Sequence, residues 1–196
     1  MTFVCPNRPL PSGRVTPAPT ATLLRAGLLD GVRVLLAAAE PPSRLGEAVI
    51  ARCAELRATP GRVVVDPTGD EAPPRPDTDV LVWDGASLAG PRDVLDGAWL
   101  ALRPVARSAW IEPELPGGKL LLIAPPPADS GAEAARSGLE NLARTLSVEW
   151  ARFGIRTAAL LPGAATDPAE VAELAAFLAS RAGDYYSGCA FRMGEA

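Results

Sequence analysis

Six short runs of aliphatic and β-branched residues recur along the chain: VRVLLA (32 to 37), RVVVD (62 to 66), DVLVW (79 to 83), KLLLIA (119 to 124), IRTAALL (155 to 161) and CAFRM (189 to 193). Helix-period segments separate most of them, at about 43 to 58, 91 to 110, 132 to 152 and 168 to 180. Strands that read as near-continuous apolar runs are covered on both faces, and their alternation with helices specifies a parallel sheet. The pattern predicts a three-layer, doubly wound α/β domain of about six parallel strands joined by right-handed crossovers.

The element ends carry their own signals. Asp167-Pro168-Ala169-Glu170 places a capping carboxylate, a proline at the first helical position and an acidic third residue ahead of VAELAAFLAS. Gly154 supplies a left-handed cap after ARF, and Pro104 is expected to kink the helix of residues 91 to 110. Between 66 and 79 the link PTGDEAPPRPDT is too rich in proline for a helix, so an irregular loop joins the second and third strands. In TATLLRAGLLDG, Leu24 and Leu28 lie four apart ahead of Gly31, which predicts a short helix leading into the domain. Residues 1 to 19 hold Pro6, Pro9, Pro11, Pro17 and Pro19 and read as a proline-rich arm, leaving 20 to 196 as the domain.

Composition narrows the chemistry. The 196 residues include no histidine, one lysine (Lys119) and two tyrosines (Tyr185 and Tyr186), with a formal charge of -4. Ser-His-Asp, Cys-His and mixed Cys/His zinc sites are excluded, and no catalytic Tyr-Lys pair can form at close spacing. Cys5, Cys53 and Cys189 are odd in number and far apart, which fits reduced thiols of a cytoplasmic protein and neither a disulfide framework nor a metal site. No uncharged apolar run approaches the ~20 residues of a membrane span. A mildly acidic chain with no basic block is not expected to bind nucleic acid.

The stretch GGKLLLIAPP, then SGLENLARTLSVEWARFGIRTAALLPGAATDPAEVAELAAFLAS, then YYSGCAFRMG resembles the C-terminal half of short-chain dehydrogenases/reductases. Strand, long helix, a strand ending in Leu-Pro-Gly, a capped helix and a final strand fall in the family's order. More loosely, DGVRVLLAAA is similar to the family's first strand, LGEAVIARCAEL to its first helix and DVLVWDGA to its fourth strand with the "NNAG" run. The resemblance spans roughly residues 30 to 194. It implies a Rossmann-like fold, here shortened to a flavodoxin-like strand order of 2-1-3-4-5 with a sixth strand. In this form the chain resembles the degenerate N-terminal domain of large two-domain 3-oxoacyl-ACP reductases.

At the positions through which that family works the residues differ. The family's Tyr-x-x-x-Lys pair falls on Ala132 and Arg136, its serine on Pro125 and its helix asparagine near Ala98. Alanine has no proton to give, and Arg136 cannot rescue an absent base. The cofactor loop reads Ala37-Ala38-Ala39-Glu40-Pro41-Pro42-Ser43-Arg44-Leu45-Gly46, where two prolines delete two amide donors and Glu40 brings negative charge. At ~1.5–3 kcal/mol per charge-assisted bond the loss is about 3–6 kcal/mol, roughly two to four decades of affinity. Gly46 and Asp66 are left as vestiges of the glycine loop and the ribose-binding acid, and no cofactor or metal is expected. After Leu161-Pro162-Gly163 the family's mobile segment is missing, since Ala164-Ala165-Thr166 runs straight to Asp167.

Two other constellations are weak. Asp66 and Asp84 both end strands at the ligand edge of the sheet, but a receiver-type magnesium site also wants an acidic pair after the first strand and a lysine after the fifth. Gly85-Ala86-Ser87-Leu88-Ala89-Gly90 imitates a nucleophile elbow with the second glycine a residue late, and reads as a turn. The long helix carries more. Ala135, Leu139, Leu142, Leu146, Trp150 and Phe153 are expected to face the sheet, while Ala134, Gly138, Asn141, Thr145 and Val148 form a second stripe. With Trp99 and Trp110 nearby, that stripe matches the face by which the family's subunits assemble, although it could pack on helix 91 to 110 of the same chain. The expectation is a chain that is not itself an enzyme and assembles with a catalytic paralogue, or with itself, through the long helices. An active nicotinamide-dependent reductase with a rearranged site and a small-ligand sensor are the alternatives.

Overall fold

A computed structural model describes residues 23 to 113 and 117 to 194. Six strands form one parallel sheet in the order β2-β1-β3-β4-β5-β6. They are β1 (Arg33–Ala38), β2 (Thr59–Val64), β3 (Val80–Asp84), β4 (Lys119–Ile123), β5 (Arg156–Pro162) and β6 (Cys189–Met193). Four helices connect them: α1 (Arg44–Glu55), α2 (Pro91–Val105), α3 (Ser130–Glu149) and α4 (Pro168–Ala179). The predicted three-layer α/β architecture and strand order are both observed. The proline-rich arm lies outside the described residues.

Burial explains why these strands stand out in the sequence. Every residue of β3 is buried, and β4 and β5 expose only their first residues in part. Alternate side chains feed two cores. On one face Trp83, Leu120 and Leu122 meet Val94, Leu102, Leu139 and Leu146 of α2 and α3. On the other, Val34, Leu36 and Val82 meet Val49, Ile50 and Cys53 of α1 and Val171 and Ala175 of α4. Desolvation there pushes the Cys53 thiol up to about 12, so it is a core residue and not a reactive one.

Two sequence expectations shift. The segment of residues 26 to 31 forms turns instead of a helix, because Gly27 lies at φ 72 and Gly31 at φ 77, left-handed conformations that break the helical repeat. Leu24 and Leu28 still pack on the core, and Leu29 is fully buried. Strand β2 begins at Thr59, three residues before the apolar run. It is an edge strand, and only an edge position accommodates Pro60 and Gly61 in the ladder.

The helix ends agree with the sequence. Asp167 accepts from the Ala169 N–H at 2.8 Å, and Asp129 accepts from Ala132 N–H at 2.8 Å to start α3. Lys119, at the start of β4, caps the opposite end of α4: its Nζ donates to Leu178 O at 3.1 Å and to Ser180 O, and pairs with Asp184 at 2.6 Å. No described helix is long and apolar enough to cross a membrane.

Candidate functional site

The carboxyl edge of the sheet, where open α/β folds bind ligands, is set by the ends of β1 and β3. Ala38 and Asp84 are register partners, so the Asp84 side chain emerges beside the loop that enters α1. Ser43 is the N-cap of α1, and its Oγ accepts from the Gly46 N–H at 3.2 Å. The same Ser43 donates twice to Asp84: its N–H to Oδ2 at 2.8 Å and its hydroxyl to Oδ1 at 2.7 Å. A Cβ at Gly46 would overlap Asp84 Oδ2, so the surviving glycine makes room for this carboxylate. Ser87 completes a latch by accepting from the Ala39 N–H at 3.0 Å and donating to the Asp84 carbonyl at 2.7 Å.

Asp84 is fully buried. Desolvation raises its pKa above the ordinary carboxylate value, opposed by the hydrogen bonds from Ser43 and Ala86. The sequence signal for this arrangement was a glycine at the third helical position near an acid ending an adjacent strand, read there only as a vestige and a weak metal candidate. Asp66, the other vestige, is exposed and forms a local turn, accepting from Thr68 N–H at 2.9 Å and Thr68 Oγ1 at 2.8 Å. Those bonds hold its carboxyl below the usual range. Among the described residues no group of three His, Cys, Asp or Glu could hold a metal ion.

The nicotinamide dinucleotide that the resemblance implies does not fit these residues. Its diphosphate would need the first-turn donors of α1, where Ser43 is already engaged by a buried carboxylate. The groove of about 400 Å³ alongside is walled by Glu40 and Glu47 as well as Arg62, and Arg62 is spent on Glu47 at 2.6 Å.

At the far end of the cleft, Arg136 is buried. Its Nη1 donates to Pro125 O at 2.9 Å and Pro162 O at 2.6 Å, tying the ends of β4 and β5. Ala132 sits one turn before it on α3, Ala98 is fully buried in α2, and Pro125 contributes its carbonyl. Tyr185 and Tyr186 precede β6 and so lie at the amino edge of the sheet, with Tyr186 packed on Phe177 and Phe191. After β5, Thr166 accepts from Gly163 N–H at 2.8 Å and donates to Met193 O at 3.1 Å, closing the short loop on β6.

The predicted helical face divides. Ala134, Asn141, Thr145 and Val148 are exposed on α3, and Trp99 is exposed on α2. Two members are corrected. Trp110 is buried, its Nε1 donating to Thr78 O at 2.6 Å, because it closes the core over Gly118. Gly138 lets Leu95 of the same chain approach, so its small size serves the packing of α2 on α3. Trp150 packs partly buried against the core on this side of the sheet, as expected, and also meets Trp99 at 6.5 Å between ring centroids.

Scanned against protein-family models and curated protein sequences, the chain matches none. It does superpose on solved structures. A citronellol catabolism dehydrogenase of Pseudomonas aeruginosa is 22% identical with TM-score 0.68, covering 87% of this chain and 96% of that one. A short-chain dehydrogenase from Mycobacterium smegmatis is 24% identical with TM-score 0.66, over 85% and 93% of the two chains. A hydroxysteroid dehydrogenase from Escherichia coli is 17% identical with TM-score 0.64, over 85% and 96%. These structural neighbours bear the names of dehydrogenases, and against that finding the expectation that the chain is not an enzyme does not stand. The chain has the fold of the short-chain dehydrogenases/reductases.

Proposed function

We propose that the chain works in oxidoreduction as one subunit of a short-chain dehydrogenase/reductase assembly. It docks through the outer face of α2 and α3 on a subunit of the same fold, of 3-oxoacyl-ACP or acyl-CoA reductase type. The observation that carries this reading is the exposure of large apolar groups there: Trp99 is 43% exposed and Val148 77%. Trp99 and Trp150 together make a broad, rigid aromatic surface of the kind that anchors interfaces. The exposed small residues Ala134, Asn141 and Thr145 let a second helix lie close, and Glu140 holds Arg144 of the same helix and Arg192 of β6 at 2.6 Å each. The acyl-thioester class rests on the sequence resemblance alone.

Co-expression with such a reductase tests the proposal. The two chains are expected to purify as one complex of fixed stoichiometry that reduces a 3-oxoacyl thioester with a nicotinamide cofactor. Trp99→Glu and Val148→Glu should each weaken the complex at least tenfold; Val148→Glu should leave the chain's own melting temperature nearly unchanged, since that side chain is 77% exposed, whereas Trp99→Glu also gives up the contact with Trp150. A monodisperse chain, or a homo-oligomer, that binds no such reductase would overturn it.

A further inference from the structure

We infer that Asp84 is a resident anion of the α1 N-terminus, a carboxylate held by the protein at the place where a ligand phosphate would otherwise be met. At this carboxylate the dinucleotide and the residues present disagree, whether or not the proposed assembly exists.

Elementary electrostatics makes the start of a helix attractive to negative charge, because its first amide N–H groups lack intrahelical acceptors and the peptide dipoles align. An open helix end of this kind recruits phosphate. In this chain the first of those groups is already taken. Asp84 reaches it from the adjacent strand, and both carboxylate oxygens accept hydrogen bonds from Ser43, one from the amide at 2.8 Å and one from the hydroxyl at 2.7 Å. A carboxylate accepts at both oxygens at once, and the Ser43 amide and hydroxyl supply one donor to each.

Space and fastening tell the same story. Gly46 has no Cβ because one would overlap Asp84 Oδ2. Ser87 clamps the chain on both sides, holding the Ala39 amide at the end of β1 and the Asp84 carbonyl at the end of β3. Glu40 in the loop adds negative potential around the entrance, while Glu47 in the first turn of α1 and Arg62 neutralise one another. A phosphate would have to displace a covalently attached, fully desolvated competitor whose effective concentration it cannot match. The two prolines of the loop are therefore the smaller part of the obstacle, and Asp84 is the larger.

Removing the competitor should recreate the vacancy. The full chain is compared with Asp84→Ala and Asp84→Asn by thermal unfolding in rising inorganic phosphate, against chloride at matched ionic strength. Wild type is expected not to respond to phosphate beyond chloride. Asp84→Ala, with the charge gone and the space opened, should unfold at lower temperature and recover with phosphate; at ten times the dissociation constant the folded-to-unfolded ratio rises about elevenfold. Asp84→Asn fills the space without the charge and should show no such recovery. Should Asp84→Ala fail to fold, Asp84→Ser opens nearly the same space and is read in the same way. Equal stabilisation of wild type and the small variants by phosphate, or no phosphate response in a folded small variant, would overturn the inference.

Discussion

Arg136 shows how one position can be identified in the sequence while its work is not. The resemblance aligns it with a lysine, and the absence of a tyrosine four residues earlier strips that role away. The buried guanidinium instead supplies hydrogens to the carbonyls of Pro125 and Pro162, residues 11 and 26 positions distant in the chain. Nothing in the local sequence announces such a bridge, because it depends on two strand ends brought together only by the sheet. Arg136→Ala should strand both carbonyls away from a donor and cost about 2–4 kcal/mol in urea unfolding. Arg136→Lys, with an ammonium in the same region, is expected to lose less. Equal stability of wild type and Arg136→Ala would show that water replaces the bridge without penalty. Asp84 was legible only as an acid ending a strand. Its partner Ser43 lies 41 residues away, and the meeting of the two follows from the β1–β3 register.

Among the elements, α2 and the proline-rich link explain one another. Proline cannot donate to the carbonyl four residues earlier, and at Pro104 that carbonyl belongs to Leu100. It accepts instead from the Ala72 N–H at 3.0 Å, from within the irregular link. The helix then widens into a π turn over Ala106–Ile111, where Ser108 Oγ donates to Pro104 O at 2.8 Å and accepts from the Arg75 N–H at 3.1 Å. Arg103 pairs with Glu71 at 2.6 Å, so the link is pinned along the helix from several points. The proline, where a kink was expected, is thus followed by a π turn and serves as a docking point for the loop that replaces a regular βαβ crossover. Pro104→Ala restores a competing helical donor to Leu100, and the Ala72 amide should exchange its hydrogen at least tenfold faster while α2 amides exchange more slowly. Hydrogen-exchange measurement of that single amide decides the matter. Apolar runs marked the central strands because burial on both faces demands them, whereas β2 was misplaced at its start because an edge strand tolerates Thr59, Pro60 and Gly61.

For the molecule as a whole, the sheet order was readable because the link of residues 66 to 79 leaves no room for another helix and the remaining crossovers are right-handed. What holds the first and third strands at their entry is electrostatic. Arg33 of β1 grips Asp79 through its backbone N–H at 2.8 Å, Nε at 2.9 Å and Nη2 at 2.8 Å. The side-chain hydrogen bond from Arg33 is the chief cause that holds the Asp79 carboxyl below its ordinary 3.8. A depressed pKa in the folded state contributes stability that is complete above the unfolded value and is lost as pH falls through the folded one. Asp84 has the opposite sign: its raised pKa makes burial of the charge costly near neutrality, a cost relieved as pH falls through that value towards 3.8. Asp79→Asn should therefore flatten the loss of stability on acidification below about pH 4, at the expense of stability near neutrality. Urea midpoints across that range measure it, and an unchanged acid profile would show that other carboxylates govern acid unfolding.

The cap that Lys119 places on α4 has a practical side. It is the chain's one lysine, and its side chain is 14% exposed, engaged by two carbonyls and a carboxylate. Amine-directed cross-linkers and dyes consequently find almost no side-chain handle on the folded chain. An assembly containing it would look, by lysine cross-linking, as if this subunit were missing; carboxyl-directed reagents, aimed at the exposed acids of α1 and α3, are the ones that would see it.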